Sequence, residues 1–129
     1  MTLDKKIKVL HVEDQVFCVK STDVVLKKMF NYESALTEQE GLEKLIEKKY
    51  DFVITDGSLE SNHGEPDFET GKRIAKAAKE QGAYVIGVSS EPEAFKKFAG
   101  QYINYNHKKP LDLIKLINLI KEEYKNKST

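Results

Sequence analysis

Polar side chains that could do chemistry follow several short apolar runs of this sequence. Glu13 and Asp14 follow the first run, and Asp56 follows a later one. Ser89 and Lys109 follow two further runs near the end of the chain. Carboxylates that are crowded together repel each other unless a cation neutralises them, and a set of oxygen ligands without His or Cys suits Mg²⁺. A carboxylate held near such a metal can attack a phosphoryl group and form an aspartyl-phosphate.

A hydroxyl and an ammonium group would complete a site of this kind. A Lys ammonium can hold a phosphate oxygen as a point charge, and a Ser hydroxyl can donate a hydrogen bond to another oxygen. Each residue also has a simpler explanation when it is taken singly. Asp14 or Ser90 could cap the helix that follows it, and Asp56-Gly57 could be an ordinary turn. Taken together, the groups favour a common site.

Alternating strand and helix patterns indicate how these groups are positioned. Strands are predicted at residues 7–12, 32–37, 50–55, 83–89 and 101–106, and helices at 15–30, 38–49, 71–82, 91–99 and 111–124. Such alternation predicts a parallel sheet that is covered by helices on both faces. Because functional groups gather beyond the carboxyl ends of parallel strands, the polar residues named above are expected to meet at one edge.

Composition limits the class of protein. The 129 residues include 21 Lys and Arg against 21 Asp and Glu, and 40% are hydrophobic. This predicts one soluble domain over residues 1–129, with a core at about 5–124 and a frayed tail at 125–129. Zero net charge argues against direct binding to nucleic acid, and no apolar run is long enough to cross a membrane. Cys18 is the single cysteine and cannot form an internal disulfide, which favours a cytoplasmic location. On the helical pattern it is expected to face the core beside Thr22.

The order of the motifs resembles that of receiver domains of two-component response regulators, including the single-domain chemotaxis and sporulation regulators. The resemblance covers residues 5–124 and rests on HVED at 11–14, VITD at 53–56, VSS at 88–90 and KKP at 108–110. It implies an α/β fold of the flavodoxin-like type, a doubly wound three-layer sandwich. Its five parallel strands would run in the order 2-1-3-4-5.

The resemblance also implies a role for each matching residue. Asp56 would accept a phosphoryl group, and Mg²⁺ would be bound by Glu13, Asp14, Asp56 and the backbone carbonyl of Ser58. Ser89 matches the hydroxyl that meets the phosphoryl group. Lys109 matches the lysine that binds phosphate, and its peptide bond to Pro110 would be cis.

The function implied by the resemblance is signal transduction by phosphoryl transfer. A histidine kinase or a histidine phosphotransfer protein would be the donor, and the domain would catalyse both the transfer and its own dephosphorylation. Output would pass to a partner protein that docks on the helix at 91–99, the strand at 101–106 and the helix at 111–124.

Two departures from the family pattern keep alternatives open. The loop at 57–70 is long and acidic, with Glu60 and Glu69 among its residues, and is interpreted as a lid or a partner-specific insertion. Asn106 stands three positions before Lys109, where the family normally has an aromatic residue. Either Lys108 is the functional lysine, the strand carries a bulge, or the aromatic switch is lost. The departures support an alternative function, a receiver-like interaction module that is never phosphorylated, whereas the five retained chemical groups count against it.

Overall fold

Strands and helices alternate along the part of the chain that the computed structural model describes, residues 5–59 and 67–127. The elements are β1 (Lys8–Val12), α1 (Val16–Met29), β2 (Asn31–Ala35), α2 (Glu38–Glu47), β3 (Phe52–Asp56), α3 (Phe68–Gln81), β4 (Tyr84–Ser89), α4 (Pro92–Ala99), β5 (Tyr105–Lys108) and α5 (Leu113–Lys127). Among these described residues, no helix is long and apolar enough to cross a membrane.

The strands form a five-stranded parallel sheet in the order β2-β1-β3-β4-β5. The predicted fold is therefore confirmed. In this order β1 and β3 are neighbours at the centre, and Val12 pairs with Thr55. The residues that follow this pair, Glu13 and Asp56, are consequently placed side by side at the carboxyl edge.

Two apolar layers enclose the sheet, because successive side chains of a strand point to opposite faces. On β3, Phe52 and Ile54 belong to the layer that contains residues of α1 and α5, whereas Val53 belongs to the layer that contains residues of α2 and α3. All five residues of β3 are buried. Asp56 thus ends a strand that is covered on both faces, and its position is fixed by packing on either side.

The face that α1 buries overlaps the predicted one only in part. The helix buries Val19, Thr22, Leu26 and Met29, while Cys18 is only partly buried. Phe17 is 84% exposed. Thr22 thus faces the core as expected, whereas Cys18 lies at the margin of the buried face. Apolar residues occur around most of this helix, so that their spacing does not define one face. Leu26 and Met29 belong to the same apolar layer as residues of β1 and β3, and this packing decides the rotation of the helix.

The ends of three other elements also differ from the prediction. β5 begins at Tyr105, because residues Gly100–Tyr102 form a turn of 3-10 helix where a strand was predicted. The final residues of the predicted loop at 57–70 are helical, since α3 begins at Phe68 after Asp67 caps it by accepting the N–H of Glu69 at 3.1 Å. At the other end of the chain, α5 continues to Lys127, beyond the predicted end at residue 124.

Candidate functional site

Three carboxylates meet at the carboxyl edge of the sheet. Glu13, Asp14 and Asp56 each offer one oxygen, and these oxygens lie within 4.8 Å of one another. Glu13 and Asp56 are 3% and 7% exposed, and Asp14 is half-buried. Such crowding of partly desolvated carboxylates requires a compensating positive charge.

Lys109 supplies positive charge to this cluster. Its Nζ lies 2.9 Å from Oδ2 of Asp56 and 3.2 Å from Oε1 of Glu13. Lys108, by contrast, is an exposed residue at the end of β5. The pairing of β5 with β4 is regular from Tyr105 to Lys108, without a bulge, and the structure therefore brings Lys109 rather than Lys108 to the carboxylates. The Lys109-Pro110 peptide bond is cis.

The electrostatics of the cluster follow from burial and mutual charge. Burial and the neighbouring negative charge of Asp56 raise the pKa of Glu13 to about 8, although Lys109 partly opposes this. Burial alone would lower the pKa of Lys109, but its hydrogen bond to Asp56 and the charges of Asp56 and Glu13 raise that pKa above its usual value. The group is balanced so that Glu13 can hold a proton near neutral pH while Lys109 stays charged.

Backbone N–H groups orient two of the carboxylates in the same way. Oε2 of Glu13 accepts the N–H of Gln15 at 3.2 Å, and Oδ1 of Asp56 accepts the N–H of Ser58 at 3.3 Å. In each case the donor lies two residues after the acid. The Asp56-Gly57 turn that the sequence indicates is thus compatible with a functional carboxylate, because the turn itself holds the side chain.

Ser89 ends β4 next to Val88, which pairs with Asp56. The side chain is 3% exposed, and its Oγ accepts the N–H of Glu91 at 2.9 Å. The capping role considered for Ser90 is therefore not observed, since the N-cap residue of α4 is Glu91 and has no side-chain cap. Asp14 does not cap α1 either, because the N-cap there is Gln15.

The first turn of α3 packs directly against the residues that follow Asp56. Gly71 donates its N–H to the carbonyl of Gly57 at 3.2 Å, and Thr70 Oγ1 accepts the N–H of Leu59 at 2.7 Å. A Cβ at position 71 would lie 2.3 Å from the Gly57 oxygen and 2.6 Å from the Asp56 oxygen. Gly71 and Thr70 were not predicted as site residues; the only signal was a small residue on the buried face of the helix.

The long loop is described only at its ends. Ser58 Oγ accepts the N–H of Asp67 at 2.7 Å, which ties the two ends together. Residues 60–66, including Glu60 and Glu65, lie outside the described residues, and so does His63. The interpretation of this segment as a lid or insertion remains a prediction.

Two histidines have structural contacts. His11 is 4% exposed, and its Nδ1 lies 2.8 Å from the hydroxyl of Tyr32. Burial, followed by the charge of Lys109, lowers the pKa of His11 to about 4. His107 Nε2 accepts the N–H of Asp112 at 3.1 Å. These contacts give both histidines a structural role within the fold.

The donor atoms of the cluster fit a hard divalent cation. All of them are carboxylate oxygens, and two of the three side chains are buried and oriented by backbone N–H groups. Mg²⁺ takes one or two carboxylates directly and keeps several waters, which suits a cluster that combines two buried acids with the half-buried Asp14.

Comparisons with known proteins agree with this architecture. No family model matches the sequence, and no curated protein matches it. Among solved structures, a CheY-like response regulator receiver domain protein from Methanospirillum hungatei JF-1 is 25% identical, with a TM-score of 0.73 and 98% of each chain covered. A receiver domain protein from Clostridium thermocellum is 19% identical, with a TM-score of 0.76 and coverages of 95% and 97%.

A third structure contains a metal complex. The response regulator protein TrrA from Thermotoga maritima, solved with Mg²⁺-BeF, is 18% identical, with a TM-score of 0.69; the match covers 90% of this chain and 97% of that one. The described residues reproduce the strand order, the cis peptide bond and the acidic edge that the resemblance implied. The chain therefore has the fold of a response regulator receiver domain.

Proposed function

We propose that this protein is a response regulator that accepts a phosphoryl group on Asp56 in two-component signal transduction. The observation that carries the proposal is the contact of Lys109 Nζ with Asp56 Oδ2 at 2.9 Å inside a cluster of three carboxylates. A scaffold that only binds other proteins has no need for a buried acid, two further acids and a paired ammonium at one point. Similarity to solved receiver domains supports the same conclusion.

In the proposed reaction an oxygen of Asp56 attacks the phosphorus of a phosphohistidine on a histidine kinase or a phosphotransfer protein. The new bond is O–P, the P–N bond breaks, and the imidazole nitrogen leaves with the electron pair. Lys109 neutralises charge on the phosphoryl oxygens, and the Ser89 hydroxyl donates to one of them. When bound by Glu13, Asp14, Asp56 and the Ser58 carbonyl, Mg²⁺ would offset negative charge on the transferring group.

The second half of the cycle is hydrolysis of the aspartyl-phosphate, which releases inorganic phosphate. A water oxygen attacks the phosphorus, and the Asp56 carboxylate leaves with the electron pair of the broken O–P bond. The domain thus catalyses both the gain and the loss of its own phosphoryl group. Output follows from binding a partner protein on the surface formed by α4, β5 and α5, which lies next to Ser89 and Lys109 in the chain.

One observation favours a second function, an interaction module that is never phosphorylated. Asn106 occupies the position on β5 where receiver domains normally carry an aromatic residue, so that one part of the usual response to phosphorylation is replaced. Under this alternative the acidic cluster would be a remnant with a structural role only.

Phosphorylation from a small donor separates the two functions. The wild type and the variant Asp56→Asn are incubated with Mg²⁺ and acetyl phosphate, and their intact masses are measured before and after treatment with hydroxylamine. We expect one hydroxylamine-sensitive phosphoryl adduct on the wild type and none on Asp56→Asn. A wild type without an adduct favours the interaction module, whereas an adduct that persists in the variant means that another residue is the acceptor.

A further inference from the structure

A pocket of about 220 Å³ lies between α1 and the segment that follows β5, on the face of the sheet that α1 and α5 cover. Its walls are mainly apolar and come from Phe17, Val88, Pro110, Leu111 and Leu113. The side chain of Phe17 is 84% exposed, so that the rim of the pocket presents a large aromatic surface to solvent. Most of this lining takes no part in the carboxylate cluster at the edge of the sheet.

His11 brings a polar atom to this pocket. The residue is 4% exposed, and its Nδ1 is occupied by the hydroxyl of Tyr32 at 2.8 Å. The other ring nitrogen, Nε2, has no hydrogen-bond partner among residues 5–59 and 67–127. It is not sealed off either, because Oδ1 of Asn106 is the single fully enclosed side-chain nitrogen or oxygen without a partner in that part of the chain. A buried imidazole thus offers one unused nitrogen to the pocket.

The other polar groups that line the pocket already have partners. Glu13 and Lys109 pair with each other at 3.2 Å. The hydroxyls of Ser21 and Thr22 donate to the carbonyl of Cys18 at 3.0 and 2.8 Å. A charged ligand would disturb the ion pair, since an anion would compete with Glu13 and a cation would compete with Lys109. The pocket therefore suits an uncharged ligand.

The volume of the pocket limits the size of that ligand. A dry apolar cavity of about 150 Å³ holds one benzene molecule. Pockets that enclose drug-sized ligands begin at about 300 Å³. At about 220 Å³ this pocket has room for a six-membered ring with one or two small substituents. A hydroxyl substituent suits Nε2 of His11, because an imidazole nitrogen can donate or accept a hydrogen bond and a hydroxyl can do either.

We propose that this pocket binds a small uncharged molecule that carries one hydroxyl group on a single ring, a ligand of the phenol class. The hydroxyl forms a hydrogen bond with Nε2 of His11, and the ring is covered by Phe17, Leu111 and Leu113. Burial of the ring supplies most of the affinity, and the hydrogen bond supplies the preference for a hydroxyl. The proposal is independent of the proposed function, because it requires no phosphoryl group on Asp56.

NMR of the histidine side-chain nitrogens measures this binding on the whole protein. The signal of Nε2 of His11 reports on the pocket, and that of His107, which lies outside it, is the internal control. The probe is para-cresol; toluene has the same ring without the hydroxyl, and para-toluate carries a negative charge in its place. We expect para-cresol to shift the His11 signal saturably, with a dissociation constant of about 1 mM, an affinity that so small a ligand can reach.

The two other compounds test the polar contact. Toluene should bind about fivefold more weakly than para-cresol, the factor that one hydrogen bond of ordinary net strength gives. Para-toluate should not bind, because it would compete with Glu13 for Lys109. In the variant His11→Leu, para-cresol and toluene should bind equally, as followed by the backbone signals of residues around the pocket. If His11→Leu does not fold, the comparison of the two compounds on the wild type tests the same hydrogen bond.

Two substitutions of Cys18, whose side chain lines the pocket, locate the site. Cys18→Leu places a larger side chain in the pocket and should abolish the binding of para-cresol. The matched control Cys18→Ser keeps the size of the side chain and should bind as the wild type does.

Each measurement has an outcome that contradicts the proposal. The absence of a saturable shift at His11 with para-cresol would overturn the site, and so would unchanged binding in Cys18→Leu, since the ligand would then lie elsewhere. Equal affinities of para-cresol and toluene for the wild type would overturn the contact with Nε2. Binding of para-toluate as strong as that of para-cresol would overturn the inference that the ligand is uncharged.

Discussion

Nζ of Lys109 contacts Oδ2 of Asp56 at 2.9 Å and Oε1 of Glu13 at 3.2 Å, so that one ammonium group joins two buried acids from neighbouring strands. The two acids follow paired residues of β1 and β3, whereas Lys109 follows β5, at the edge of the sheet. The stability of this edge and any chemistry on it consequently depend on the same ammonium group.

Replacing Lys109 by Met is expected to lower the free energy of unfolding by about 3 kcal/mol in the absence of divalent cations, because it leaves Glu13 and Asp56 without their counter-charge. The loss is at the low end for a buried pair, since Glu13 can take up a proton. Chemical denaturation at pH 8 measures it. Lys108→Met is the matched control and should change stability little; equal effects of the two variants would contradict the assignment of Lys109.

Without metal, the stability of the protein is expected to fall as the pH rises from 6.5 to 8. The pKa of Glu13 is about 8 in the folded protein against 4.5 for an ordinary glutamate, so that the folded state binds more protons in this range. The slope is at most about 1.4 kcal/mol per pH unit for one proton. His11, whose pKa is about 4 in the folded protein against 6.5 for an ordinary histidine, contributes a slope of opposite sign that fades above about pH 7.5, so that the fall is clearest between pH 7.5 and 8.

Denaturation curves in a chelating buffer, at several pH values, measure this slope. Glu13→Gln serves as the comparison, because glutamine keeps the size of the side chain and cannot ionise. Its stability should not fall over the same range, because the contribution of Glu13 is absent. A wild type and a variant with the same slope would show that another group is responsible.

Binding of Mg²⁺ is expected to release protons below pH 8. A carboxylate must be ionised to bind the metal, and Glu13 is largely protonated in the metal-free protein at pH 7. Affinity should rise with pH, by up to about tenfold per unit between pH 6.5 and 7.5. Calorimetric titrations in two buffers of different ionisation enthalpy give the number of protons. Glu13→Gln should still bind through Asp14 and Asp56, more weakly and without this pH dependence; a pH-independent affinity of the wild type would exclude Glu13 as a titrating ligand.

Gly71→Ala is expected to destabilise the protein by about 3 kcal/mol, because the new methyl group meets backbone oxygens of Asp56 and Gly57 that cannot move aside. Gly100→Ala is the control: its Cβ would meet only the flexible Lys96 side chain at 3.4 Å, and its backbone is already helical. That change should be neutral or stabilise by about 0.5 kcal/mol. Urea denaturation compares the two, and equal stabilities would mean that α3 shifts to make room.

The fold could be predicted because β1, β3 and β4 are short apolar runs that alternate with helical patterns, whereas the more polar β2 and β5 were predicted mainly from their places in that alternation. The edge at which Glu13, Asp56 and Ser89 meet follows from the topology alone, since parallel strands end on the same side. These residues are far apart in sequence, yet their proximity in the fold could be predicted without any knowledge of side-chain packing.

Details that depend on tertiary contacts could not be predicted. Lys108 and Lys109 are adjacent and chemically identical, and only the regular register of β5 decides which of them reaches Asp56. The rotation of α1 depends on contacts with the sheet rather than on the pattern of its apolar residues. Likewise, the turn that replaces the start of the predicted last strand forms where the Asn104 side chain takes the N–H of Val85.

The residues of the candidate site come from four different strands of the parallel sheet. Its acids come from the ends of β1 and β3, its hydroxyl from β4 and its ammonium from the residue after β5. No single strand with its helix contains all of them, and a chain that has unfolded loses their arrangement as a whole. Under the proposed function, the fraction of molecules that take up a phosphoryl group at Asp56 would therefore equal the fraction that is correctly folded. Loss of this capacity on heating would follow the unfolding of the whole sheet rather than a local change.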